Sequence, residues 1–222
     1  MKRTLTVATA AAISLGAVSA QAEEFGVQGT AAFSADRLFA FHSTRVVRER
    51  PAPQPDDQVT YTGIGFGWRS QFQASPFDVP RLAFDYFVID GLNIGGSLGY
   101  ASVDDDNDQW RGRRDRYSAF LLAPRVGYVW MFSEVAGFWL RGGFTYHSWT
   151  RDNPDPAEPD QTISGLALTV EPTFVLSPVE HFAFVLGPTL DWDVSGEHDP
   201  GPAQWDNEYR SIGIQFGLMG WL

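Results

Sequence analysis

"RLAFDYFVIDGLNIGGSLGY", residues 81–100, sets Leu82, Phe84, Tyr86 and Val88 on even positions. It keeps Leu92, Ile94, Leu98 and Tyr100 there too, straight across Asp90-Gly91. Side chains of a strand alternate between two faces, so each half of this stretch has one apolar face. A three-residue loop, Ile89-Asp90-Gly91, has the odd length that holds Val88 and Leu92 on one side. Gly91 then supplies the left-handed residue such a loop requires.

The same parity recurs along the chain. Even positions give Thr62, Ile64, Phe66 and Trp68, then Phe120, Leu122, Val126, Tyr128, Trp130 and Phe132. Phe138, Leu140, Phe144 and Tyr146 follow, then Leu166, Leu168, Val170, Phe174 and Leu176. The series closes with Phe182, Phe184, Leu186, Leu190, Trp192 and Val194, and with Ile212, Ile214, Phe216, Leu218 and Leu222. Odd positions between them are mostly small, polar or charged. A soluble sandwich or a secreted lipocalin-like barrel also alternates. Here, however, charge sits at mid-strand on the odd face, and the connections alternate in length. They are short at Ile89–Gly91, Ser133–Gly137 and Ser177–His181, and long and hydrophilic at 104–116, 151–161 and 196–208. Short turns at one end and long loops at the other are expected of an antiparallel up-and-down transmembrane β-barrel. Tyr86, Trp130 and Phe182 near the short turns, with Trp68, Tyr146 and Trp192 near the long loops, would form its two aromatic girdles.

Composition agrees with that address. "MKRTLTVATAAAISLGAVSAQA" has a basic start, a short apolar run and Ala20-Gln21-Ala22, which reads as a cleaved signal peptide over residues 1–22. Residues 23–222 then form one barrel domain of the cell outer membrane. Lys2 and Arg3 account for two of the 16 basic residues, leaving 14 arginines against 27 acids, a net charge of −13. That balance excludes a nucleic-acid partner. With no cysteine there is no disulfide framework or thiolate metal site. No catalytic, cofactor or metal motif stands out.

Strand number is eight to ten. Ten, the slightly favoured count, divides residues 25–46 into a hairpin. Eight makes it one long strand beside an interrupted partner, 61–70 with 80–88. Pro124, Pro172 and Pro188 fall inside strands, where a missing N–H breaks the ladder, and bulges are expected to absorb them.

"PRLAFDYFVIDGLNIGGSLGY", "LAPRVGY" and "HFAFVLGPTLD" resemble the small outer-membrane β-barrel proteins of Gram-negative bacteria, the OmpA/OmpX/OmpW-like group, and are similar to uncharacterised members. The resemblance implies assembly by the outer-membrane insertion machinery, which reads an alternating C-terminal strand ending in an aromatic residue. "SIGIQFGLMGWL" alternates and carries Trp221 one place before its last residue.

Counting from the short turns sets Arg81, Asp85, Arg125, Arg141 and Glu171 near one depth on the inward face. In a small barrel this reads as an interlocking ion-pair plug, or alternatively as a polar path for small solutes. Near the outer mouth lie His147, Asp191 and Asp193; Ser148 has the opposite parity, so it would face lipid and not the histidine's side. The loop "DDDNDQWRGRRDR" offers Arg111, Arg113, Arg114 and Arg116 for lipopolysaccharide phosphates. Its Asp104, Asp106 and Asp108 alternate as in a calcium loop, but Gln109 stands where glycine is required. The expected function is a non-enzymatic barrel serving envelope integrity or surface interaction, in contact with outer-membrane lipid. A narrow solute channel and a lipid-directed enzyme are the alternatives. The sequence leaves the oligomeric state open.

Overall fold

The computed structural model describes residues 24–49, 57–67, 75–105, 115–152, 160–199 and 206–222. The signal-peptide reading of residues 1–22, the girdle position Trp68 and the arginines of 111–114 lie outside them. Nine strands occur among the described residues: β1 (Ala31–Glu49), β2 (Asp57–Phe66), β3 (Arg81–Ile89), β4 (Leu92–Asp105), β5 (Asp115–Ser133), β6 (Ala136–Asp152), β7 (Gln161–Val179), β8 (Phe182–Asp199) and β9 (Asp206–Trp221). All pair antiparallel, and β1 with β9 closes the sheet into a barrel.

The ring has eight positions, because β2 and β3 share one. β3 pairs with the lower part of β1, Ala31–Asp36, and β2 with its upper part, Phe39–Arg48. The interrupted-partner count is therefore the one adopted, and the hairpin within 25–46 is not formed. Phe33 to Phe39 holds no Gly, Pro or Asn with which to turn. The chain bulges instead. Ala35 faces Leu218 and Phe39 faces Phe216, so Asp36, Arg37 and Leu38 together oppose Gly217. Arg37 takes a left-handed φ of 57° there.

Between β2 and β3 the chain leaves the wall. A single 3₁₀ turn, Pro76–Asp78, lies in the lumen, N-capped by the Ser75 hydroxyl, with Ser75 to Pro80 all buried. At the tight turn after β3, Gly91 takes the expected left-handed φ, 80°, but the register slips by one between Phe87 and Ile89, so Leu92 faces Ile89 and not Val88.

Even residues of β2 to β9 face outward. Leu82, Phe84, Val126, Trp130, Phe144 and Ile214 are all exposed, while their odd neighbours are buried, or half-buried at Met131 and Gly143. On β7 the apolar run from Leu166 to Leu176, at about 3.4 Å per residue and a tilt of about 40°, spans about 26 Å. That is the height of a lipid-facing band. The next outward residue above it is polar on strand after strand: Thr62, Ser102, Ser118, Ser148, Ser164 and Arg210. No helix among the described residues is long and apolar enough to cross a membrane; the strands make the crossing.

The mid-strand prolines are not absorbed by bulges. β5 and β6 pair at Leu122–Tyr146, then again at Arg125–Gly143, in unchanged register. β7 and β8 likewise pair at Val170–Leu190 and at Phe174–Leu186. Pro124 and Pro172 each meet a glycine across the break: a Cβ at Gly143 would collide with the Pro124 carbonyl, and one at Gly187 with that of Pro172. The strands close in where the N–H is missing.

Candidate functional site

The lumen is filled at three heights. At the short-turn end, residues 24–30 fold across the mouth, with Gly91 N donating to Gly26 O at 2.7 Å and Gly29 N to Phe87 O at 2.9 Å. Phe25 drops into a buried cluster, its ring centroid 5.2 Å from Phe87, 5.4 Å from Trp139 and 5.3 Å from Trp221. Trp221, the aromatic expected of the C-terminal strand, thus points inward and not toward lipid.

The charge layer lies above. Asp85, Arg125, Arg141 and Glu171 come together as the inward parity requires. Arg141 and Glu171 are direct partners across β6–β7, 3.1 Å apart at their closest side-chain atoms. Arg125 binds Asp85, reaches Asp36 at 2.7 Å and Glu171 at 3.5 Å. Three members were missing from the sequence reading. Asp36 and Arg37 are carried inward together by the β1 bulge, and Asp191 sits lower than its outer-mouth assignment. Arg37 holds Asp191 at 2.9 Å and Glu171 at 3.1 Å, while Arg141 reaches Asp36 at 3.1 Å. Three guanidiniums therefore pair with four carboxylates, and a fourth, Arg81, lies in the same layer, all buried. From Asp85 the network continues downward: Asn93 Nδ2 donates to it at 2.7 Å, and Trp139 Nε1 donates to Asn93 at 2.9 Å. The Arg141 guanidinium lies 4.6 Å above the Trp139 ring centre, a cation–π contact in a desolvated place.

Arg81 departs from the expected plug. It is buried in the layer but meets no carboxylate among the described residues. Its donors reach Thr145 Oγ1 at 3.4 Å and Phe77 O at 3.5 Å. Thr145 lies 2.7 Å from Thr169, which donates to Asp191 at 2.7 Å, so two hydroxyls stand between Arg81 and an acid.

Toward the outer mouth the inward 3₁₀ turn completes the filling. Phe77 and Val79 pack with Ala101, Ala119, Leu121 and Ala167. Phe77 O accepts from Arg37 Nη1 at 2.7 Å, and Asp78 Oδ2 lies 2.8 Å from His42 Nε2. A second buried pair, His147 Nε2 with Asp193 Oδ1 at 2.9 Å, stands against the edge of the Phe77 ring. Ser148 faces the outer side, so the His147 dyad has no hydroxyl nucleophile from that neighbour. Among the described residues no group of three or more His, Asp or Glu side chains is placed to hold a metal. The side chain of Arg116, like Arg111, Arg113 and Arg114, lies outside the described residues.

A closed ring of eight positions, an apolar exterior about 26 Å tall and a polar interior decide the architecture. The fold is that of a small outer-membrane β-barrel. Solved structures agree. The outer membrane protein OprG from Pseudomonas aeruginosa superposes with a TM-score of 0.52 at 10% identity, covering 89% of this chain and 98% of its own. The outer membrane protein AlkL, determined in lipid bilayers, gives 0.51 at 12% identity over 100% and 97%. Neisserial surface protein A gives 0.50 at 10% identity over 87% and 99%. At such identities the likeness is one of fold. No family model matches the sequence, and no curated protein matches it.

Proposed function

We propose that this barrel is non-enzymatic and non-conducting, and that it serves envelope integrity or surface interaction in the outer membrane. One observation carries the reading: the lumen is filled by the Phe25 cluster, by the charge layer and by the inward turn at Phe77. A solute path would have to break all three. The loops between the strands are then the parts left to meet partners.

Lipopolysaccharide is the lipid partner we assign to the outer rim. Arg45 and Arg210 are direct cross-strand partners on β1 and β9, both outward and exposed at the level where the apolar band ends. Like charges placed opposite each other repel unless an anion lies between them. Glu208 meets Arg210 at 2.6 Å, which leaves the group with one net positive charge, and Arg210 also stacks on the girdle residue Trp192 at 4.4 Å. A headgroup phosphate can accept from both guanidiniums. Arg111, Arg113, Arg114 and Arg116 extend the same proposal into the loop, on sequence grounds alone. Insertion by the outer-membrane assembly machinery rests likewise on the alternating strand β9.

The test is genetic and chemical together. A strain lacking the protein is expected to admit more of a hydrophobic dye, with envelope lipids unchanged by mass spectrometry. Arg45→Gln with Arg210→Gln is expected to reduce co-purified lipopolysaccharide. An altered lipid profile would replace this reading with that of a lipid-directed enzyme.

A further inference from the structure

At the short-turn end, outside the Phe25 cluster, lies an open cleft of about 550 Å³. Its floor is Phe25, Met131 and Trp221, and its walls are the β5–β6 turn at Ser133–Val135 and the β7–β8 turn at Ser177–His181. This is the size of a site for a few side chains. Lipid does not cover it: Val135 and Val179 line the cleft, not the outer wall, yet they are 55% and 60% exposed. Apolar side chains left open on a barrel's aqueous face mark an interaction surface.

Two further observations define what fits. The cleft is rimmed by Glu24, Glu134 and Glu180, and the neighbouring turn adds Asp90, all exposed. Among the described residues no arginine or lysine lies on this face, since those of the strands stand at mid-barrel or near the long loops. The second observation is a held conformation. His181 has a left-handed φ of 61°, uncommon for a residue other than glycine, and its Nδ1 lies 3.0 Å from Trp221 O, fixing the turn against the floor. Strained residues that persist are held by their surroundings and concentrate where a surface is used.

We infer that this mouth is a docking surface for a basic peptide segment carrying an aromatic or aliphatic side chain, presented from the periplasmic side. The apolar side chain enters between Val135 and Val179 onto Met131 and Trp221. The flanking cations meet Glu134 on one wall and Glu180 on the other. Two acidic walls on either side of an apolar floor select against an acidic segment as strongly as they attract a basic one. The inference does not depend on whether the lumen conducts.

The test uses the whole barrel in phosphatidylcholine nanodiscs, with valine and methionine methyl groups labelled for NMR. The probe is acetyl-Lys-Phe-Lys-amide, compared with acetyl-Lys-Gly-Lys-amide and acetyl-Glu-Phe-Glu-amide. Saturable shifts are expected at Met131, Val135 and Val179 with the first peptide. Affinity should fall about tenfold or more for either comparison peptide, for the variant Glu134→Gln with Glu180→Gln, and severalfold at high salt. Both substitutions are on exposed turns, and unchanged heat-dependent gel mobility verifies that the variant folds. No saturable shift, equal binding of the acidic peptide, or indifference to the double substitution would each overturn the inference. So would contacts from nanodisc acyl chains to Val135, which would make the cleft a lipid site.

Discussion

Replacing Glu171 by Gln removes one charge from the layer while keeping its shape. Glu171 touches Arg37 at 3.1 Å, Arg141 at 3.1 Å and Arg125 at 3.5 Å, and its side chain is 4% exposed. At such contacts the charge centres are about 4 Å apart, each worth about 4 kcal/mol at an effective dielectric near 20. The carboxylate's own desolvation, several kcal/mol, is recovered when it goes. Arg37 keeps Asp191, Arg125 keeps Asp36 and Asp85, and Arg141 keeps Asp36. With Arg81, which is buried in the same layer without a carboxylate contact, four guanidiniums would nonetheless stand among three carboxylates. Breaking a buried pair in this way costs about 3–5 kcal/mol. Reversible urea unfolding in short-chain lipid vesicles, followed by tryptophan emission, measures the loss. Adding Arg141→Met to Glu171→Gln restores three against three and should recover part of it. If Glu171→Gln unfolds within about 1 kcal/mol of the wild type, the layer is well solvated and the reasoning fails.

Leu140→Arg and Leu186→Arg, on the lipid face, should lower stability by about 2–4 kcal/mol, against about 0–1 kcal/mol for Ser102→Arg at the rim; equal losses in vesicle unfolding would contradict the depth assignment. Gly187→Ala should destabilise by about 1–3 kcal/mol, because its Cβ meets the Pro172 backbone. Gly142→Ala, whose nearest neighbour is Thr169 O at 3.5 Å, should be nearly neutral in the same assay. Arg81→Met should destabilise less than Arg125→Met, since Arg81 has no carboxylate partner to strand; the reverse order would show a partner that the structure does not display.

Much of this was legible because lipid imposes one rule on every strand. The outward run Leu82, Phe84, Tyr86 and the run Ile94, Leu98, Tyr100 needed only alternation to be assigned, and the inward Asp85, Arg125, Arg141 and Glu171 followed from the same parity. What escaped reading is whatever breaks the period. Asp36 and Arg37 enter the lumen through a bulge set by the β9 partner, which no local pattern displays. Its one signal was the absence of Gly, Pro and Asn between Phe33 and Phe39. Phe77 and Asp78 looked like an ordinary loop, because leaving the wall for the lumen is a tertiary event. Prolines suggested bulges, but the compensation lies on the neighbouring strand, at Gly143 and Gly187. Arg81 has the right parity and depth, yet Glu171 is held by Arg37, Arg125 and Arg141, and Asp85 by Arg125.

The closed lumen is tested most directly by recording current through the purified wild-type barrel reconstituted in a planar lipid bilayer. Three layers of filling predict a silent membrane, without steady unit steps across the range of applied voltage. Reproducible unit conductance from the folded barrel would contradict the account and make the charge layer a path for solutes.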